Sequence, residues 1–281
     1  MREYVEFRVG EEFAPKLFAD NEGKRLGDTV RKVELVTNDP RFRRIGELQR
    51  ETRAITGQSF FYGWILHHQY TKQEIASAKI FHFKITTAFE PAGEECGTKY
   101  NESAACPKCR AGAPQLTPLY LPEKRIPKSK DVSRTIAGEI VVSRRVKELF
   151  ARHGITGAQL NSVRYSQKSS AESSDWFQLV LTHTDAEVVA PTRTGIDPFD
   201  EDEKGEFRCP NGDTIGLNLL SEVSIKASTK PEVDIIGTHQ FFSYRTGLLR
   251  PKRQILISPR LYQLLEAEKI KGYKVEVAHL K

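Results

Sequence analysis

Three of the four cysteines in this 281-residue chain, Cys96, Cys106 and Cys109, fall within ECGTKYNESAACPKCRAG, among Gly, Asn and Pro turn formers. Thiolates crowded into turns are natural ligands for a borderline-soft cation, and Cys-Pro-Lys-Cys offers two of them from one knuckle. The fourth, Cys209 in FRCPNGD, also precedes proline, and its Asn-Gly turn can direct backbone N–H groups toward a thiolate. The expectation is a zinc ion held by Cys96, Cys106, Cys109 and Cys209. Four thiolates close the shell to water and substrate, so such a zinc would be structural. Cys209 lies 100 residues beyond Cys109, and His82 or another histidine could replace it as ligand. A redox role for the Cys106 and Cys109 pair would need a thioredoxin-like strand and helix, which the flanking Gly, Pro and Asn residues do not supply.

Catalytic patterns are sparse. His67 and His68 end an aromatic run, where strand geometry would send adjacent rings to opposite faces. His183 could meet Asp185, but no nucleophile accompanies them. The acidic run Asp197, Asp200, Glu201, Asp202 and Glu203 lacks the spacing of a calcium loop and reads as a solvated loop. No P-loop, GxSxG elbow or GxGxxG following a strand is present. Two Arg-Thr-Gly turns, at Arg193 and Arg245, could orient carboxylates or phosphates, or could form internal salt bridges. Lys124, Arg125, Lys128 and Lys130 form the most basic short stretch, in a proline-rich arm suited to phosphate contact but without interleaved aromatics.

The elements that must carry these groups read as follows. Strands are expected at residues 4–9 and 33–36, with a turn at 23–28 between them. A helix is capped by Asn38 or Asp39, opened by Pro40 and stopped by Gly57. SFFYGWILHHQY reads as a buried strand, and Thr71 with Glu74 as a capping box for a short helix. KIFHFKITTAF alternates as a half-buried strand, with His82 and Lys84 on one face and Phe81 and Phe83 on the other. SSAESSD and GIDPFDEDEKGEF read as loops between strands.

IVVSRRVKELFARHGITGAQL and ILISPRLYQLLEAEKIKGYKV match without a gap at an offset of 115 residues. They share Ile140 with Ile255, Ser143 with Ser258, Arg145 with Arg260, Leu149 with Leu264, Ile155 with Ile270, and Gly157 with Gly272. Each reads as strand, serine N-cap, amphipathic helix, glycine turn and strand. Duplication or convergence on a favourable order would both produce this pattern. The fold class expected is α+β, with mixed sheets, a zinc knuckle and two related strand-helix-strand units. The divisions are 1–90, a knuckle and arm at 91–130, and 131–281.

Size, 38% hydrophobic and 28% charged residues fit a protein with its own core, and no apolar run approaches a membrane span. The first residues lack the pattern of a secretory signal, so a cytoplasmic protein is expected. A net charge of +6 permits an acidic partner without specifying one.

The two repeat segments, together with CPKC, make the chain resemble bacterial immunity proteins of polymorphic-toxin systems, nearest the double-CXXCG motif immunity family. Here only CPKC is a CxxC, and Arg110 stands where that family has glycine. The resemblance implies a non-catalytic cytosolic protein that binds and neutralises a cognate toxin. The alternatives are a zinc-containing nucleic-acid binder using the basic arm, and then an enzyme.

Overall fold

The computed structural model describes residues 1–166 and 171–281. The fold is α+β, with four α-helices among the described residues and mixed sheets in two compact units. Unit one comprises Met1–Ser77 and Ile196–Glu201; unit two comprises Ala78–Gly195 and Asp202–Lys281. The boundary therefore falls before residue 90, because the strand Ile80–Ile85 pairs with Tyr273–Leu280 and Lys252–Ile257 of the second unit. Segment 91–130 likewise belongs inside that unit.

In unit one an antiparallel sheet runs in the order Lys24–Leu26, Val30–Val36, Arg2–Gly10, Phe61–Gln69. Its core contains Val5, Phe7, Val33, Leu35 and Phe60, with Ile45 and Leu48 from helix α1, Pro40–Thr56. Asp39 caps α1 by accepting from Arg41 N at 2.8 Å, and Gly57 ends it at φ 71°. The capping box forms as expected at α2, Lys72–Ser77. Thr71 N donates to Glu74 Oε2 at 2.8 Å, and Glu74 N to Thr71 Oγ1 at 3.2 Å. Phe61–Gln69 is not the buried strand the aromatics suggested: it is a sheet edge with Tyr62 and Ile65 exposed. The acidic loop also differs. Phe199 reaches the unit-one core, its ring 4.9 Å from Phe42 and 5.9 Å from Phe7, and Asp197 is buried beside it with Oδ1 accepting from Phe199 N.

Two of the sheets in unit two share one plan. The first has the order Val132–Thr135, Ile140–Ser143, Glu172–Leu181, Ala158–Tyr165, Tyr120–Leu121, with Ala88–Phe89 added outside Val132–Thr135. The second has the order Ile235–Phe242, Lys252–Ile257, Ile80–Ile85, Tyr273–Leu280, Ser224–Ile225. Within these five strands of each sheet the last pair is parallel and the other pairs antiparallel, and Ala88–Phe89 joins Val132–Thr135 in parallel. Ile80–Ile85 thus occupies the place that Glu172–Leu181 holds in the first half, although it precedes the rest of its own half in sequence. It is central and buried on both faces at Ile80, Phe81, His82 and Phe83, rather than half-buried. Part of SSAESSD belongs to the strand Glu172–Leu181, while Ser169 and Ser170 lie outside the described residues.

The 115-residue repeat is a structural one. Helix α3, Arg144–His153, and helix α4, Pro259–Ala267, follow equivalent strands, and their contacts are reciprocal. Arg145 donates to the carbonyl of Glu268 at the end of α4, and Arg260 to the carbonyl of His153 at the end of α3. Ser143 Oγ donates to Asp131 Oδ1 at 3.0 Å, and Ser258 Oγ to Asp234 Oδ1 at 2.8 Å. The other carboxylate oxygens accept from Lys271 N and Thr156 N. Asp131 and Asp234 are 103 residues apart, so the hairpin following Asp234 is longer by 12, the difference between offsets of 115 and 103. The shared core pairs equivalent residues: Val132 with Ile235, Ile140 with Ile255, Val142 with Ile257, Val146 with Leu261, and Phe150 with Leu265. The closeness of the halves explains the invariant glycines of the repeat. A Cβ on Gly157 would lie 1.8 Å from Ile235 O, and one on Gly272 1.9 Å from Val132 O.

Candidate metal centre

Two short loops build the site, and they are alike. In the first, Cys106 N donates to Ala111 O at 2.8 Å and Arg110 N returns to Cys106 O at 2.8 Å. In the second, Cys209 N donates to Thr214 O at 2.7 Å and Gly212 N to Cys209 O at 2.9 Å. Each turn needs a residue in the left-handed region, supplied by Arg110 at φ 58° and Gly212 at φ 80°. An arginine tolerates that conformation less well than glycine, a local strain this sequence carries at the knuckle. Cys106 and Cys209 are 103 residues apart, the spacing of Asp131 and Asp234, so one knuckle comes from each half of the repeat.

Cys106, Cys109, Cys209 and Asp213 present ligand atoms that all lie within 4.8 Å of one another, and together they could hold a metal ion. Cys106 Sγ is 3.6 Å from Cys209 Sγ, and Cys209 Sγ is 3.6 Å from Asp213 Oδ2. Two sulfurs each bound at ~2.3 Å to a tetrahedral ion stand about 3.8 Å apart, so the spacing suits a common ion. All four cysteines are free of disulfides. Phe241 packs against the cluster, and its N–H donates to Asp213 O at 2.7 Å, fixing the second knuckle to the strand Ile235–Phe242.

The electrostatics divide the thiols. Asp213 opposes ionisation of Cys106, but hydrogen bonds from the Cys109 and Lys108 backbone and from Cys209 outweigh it and hold that thiol below its ordinary range. Burial pushes the Cys109 thiol up to about 11, against hydrogen bonds involving Thr214 and the Ala111 backbone. A cation among three sulfurs and a carboxylate would favour the thiolates that bind it.

Of the four expected ligands, Cys106, Cys109 and Cys209 come together. Cys96 does not: it ends a single turn, Glu94–Cys96, where burial raises its pKa and Ser166 is its hydrogen-bonding neighbour. Asp213 takes its place, four residues after Cys209. His82 is not a substitute ligand either, since its Nε2 lies 2.8 Å from Gln254 Oε1. Asp213 escaped sequence reading because it is not a cysteine, and aligning the two Cys-Pro pairs sets it opposite Arg110 rather than Cys109.

The remaining candidates are structural in their contacts. His67 stacks on Tyr4, with ring centroids 4.8 Å apart, and His68 Nε2 lies 3.1 Å from Glu3 Oε2. His183 Nδ1 meets the neighbouring Thr182 hydroxyl. Arg245 pairs with Glu94 at 3.1 Å and Glu102 at 3.2 Å, and Arg193 donates to Leu220 O. In the basic arm Lys124, Arg125 and Lys128 are exposed and Lys130 half-exposed, while buried Leu121 and Ile126 pin the segment down. No helix among the described residues is long and apolar enough to cross a membrane. Compared with known proteins, the chain matches no family model and no curated protein.

Proposed function

We propose that this chain is a zinc-stabilised binding protein of the immunity type, which holds and neutralises a cognate protein toxin in the cytoplasm. The observation that carries the metal part is the group Cys106, Cys109, Cys209 and Asp213, with one knuckle drawn from each half of the repeat. Its three sulfurs suit zinc over a hard cation, and its carboxylate supplies a fourth donor. With all four protein donors engaged, the ion has no open position for substrate and serves as a staple. It ties the loop before Tyr120–Leu121 to the loop before Ser224–Ile225, which are equivalent places in the two sheets. The binding part rests on the resemblance of the repeat and knuckle to immunity proteins.

A second reading is nucleic-acid binding through Lys124, Arg125, Lys128 and Lys130, favoured by the exposure of that arm. Affinity capture of the tagged chain from its native cells, with nuclease and a salt series, separates the two. A stoichiometric protein surviving both treatments supports the immunity reading; capture that disappears with nuclease or salt supports the other, because phosphate contacts release counterions. Elemental analysis of the purified protein tests the staple: about one zinc per chain is expected, and a folded chain without metal would overturn that part.

A further inference from the structure

Unit two contains a cleft of about 900 Å³, and Phe241 both lines it and packs on the metal cluster. The second half's hairpin, the one with 12 extra residues, contributes Arg250, Lys252 and Arg253 to its wall. A hairpin by which the two halves differ therefore forms part of the cleft wall.

The charges around it are almost all matched. Arg250 bonds Glu94 and Glu102 at 2.8 and 2.7 Å, and Arg164 bonds Glu172 at 2.8 Å. Glu139 accepts from Tyr100 Oη at 2.7 Å and from Gly93 N at 3.2 Å. Arg253 donates to the carbonyls of Thr238 and His239. Lys252 is different. The residue is exposed at the cleft wall, yet the surrounding protein desolvates the ammonium, and the charges acting on it are the cations Arg134 and Lys84. Lys84 is matched by Glu276 at 2.7 Å, whereas no carboxylate among the described residues acts on Arg134.

We propose that the cleft receives a carboxylate-bearing peptide segment of the partner, with Lys252 as the receiving cation and Arg134 reinforcing the local potential. This rests on the binding reading above. A cation held in a concave site without a counter-ion gains most from an anion that brings one. Peptide is favoured over single-stranded nucleic acid because the aromatic faces in the cleft are already covered. The Arg250 guanidinium lies 3.8 Å from the Tyr100 ring centre and that of Arg253 4.0 Å from Phe241, leaving no platform for bases. Asn161 on the wall adds an amide group suited to a peptide backbone, while Gln115 and Gln178 are bonded to each other.

The test is calorimetric titration of the metal-loaded full chain with acetylated tetraglutamate, tetraglutamine and an octathymidylate at low salt. Tetraglutamate should bind and tetraglutamine should not. Lys252→Gln should weaken binding about tenfold or more, and Lys252→Arg should retain it. Tetraglutamate binding unaffected by Lys252→Gln, or octathymidylate binding that depends on Lys252 and exceeds it, would overturn the proposal. Capture from cells separates this from the wider reading. Equal recovery of one partner by wild type and Lys252→Gln rejects the cleft while leaving the binding function. Lys252-dependent tetraglutamate binding with no captured protein keeps the cleft and rejects the toxin.

Discussion

Among the cysteines, position in the fold decides which one matters. Cys106→Ser should release most of the metal and lower thermal stability, whereas Cys96→Ser should leave the metal content unchanged; elemental analysis with a melting curve checks both. Asp213→Ala should weaken metal retention against a chelator, and Asp213→Cys should strengthen it by restoring the fourth thiolate. Three of these ligands were legible because thiols beside turns are chemically conspicuous. An aspartate among 37 acidic residues is not, and its role emerges only when the fold brings the two Cys-Pro loops together. Lys252 carries a second prediction. Burial, then Arg134 and Lys84, push its ammonium down to about 8. Since the folded pKa lies below that of the unfolded chain, the charged form is penalised at neutral pH, and the penalty is relieved as pH rises from 8 toward the ordinary lysine range. Carbon-13 NMR of labelled lysines should show one midpoint near 8, absent from Lys252→Gln. Tetraglutamate should raise that midpoint, and its affinity should fall above pH 8.

Secondary-structure elements were most legible where local chemistry alone sets the boundary, as at Asp39, Pro40 and Gly57 around α1 or Thr71 and Glu74 at α2. They were least legible where neighbours decide. The alternation of Ile80–Ile85 suits one wet face, yet its His82 and Lys84 find Gln254 and Glu276 on adjoining strands, so both faces can be covered. The repeat was visible as sequence, but its reciprocal docking was not, because Asp131 and Asp234 lie outside the matched segments. That docking makes Gly157 and Gly272 critical. Both have positive φ, at 96° and 107°, and both leave room for the opposite half's backbone carbonyl. Alanine at either should cost on the order of 3 kcal/mol, combining left-handed strain with displacement of a strand. Gly154 is the control: also left-handed, at φ 58°, but with nothing within 4 Å of an added Cβ, so Gly154→Ala should cost about 1–2 kcal/mol. Urea denaturation of the three variants measures the contrast.

At the scale of the whole molecule the chain order conceals the division into units, because Ile196–Glu201 leaves the second unit's sequence to complete the first. In the sequence, one phenylalanine among aspartates and glutamates looks like part of a solvated loop. Its environment is instead aromatic, formed by Phe7, Phe42 and Phe61, and α1 accommodates it by having glycine at position 46. A Cβ there would lie 2.7 Å from the Phe199 ring. Helix propensity by itself predicts that Gly46→Ala stabilises by about 1 kcal/mol. In the native chain the contact should reverse that sign. Phe199→Ala should destabilise by about 2–3 kcal/mol, less than a fully buried phenylalanine because the ring is only partly covered. In the Phe199→Ala background Gly46→Ala should become neutral or stabilising, since the obstructing ring is gone. A double-mutant cycle by urea denaturation reads this directly. A Gly46→Ala effect of the same sign and size in both backgrounds would mean that Phe199 does not occupy the groove over α1, and that the first unit is complete without its borrowed segment.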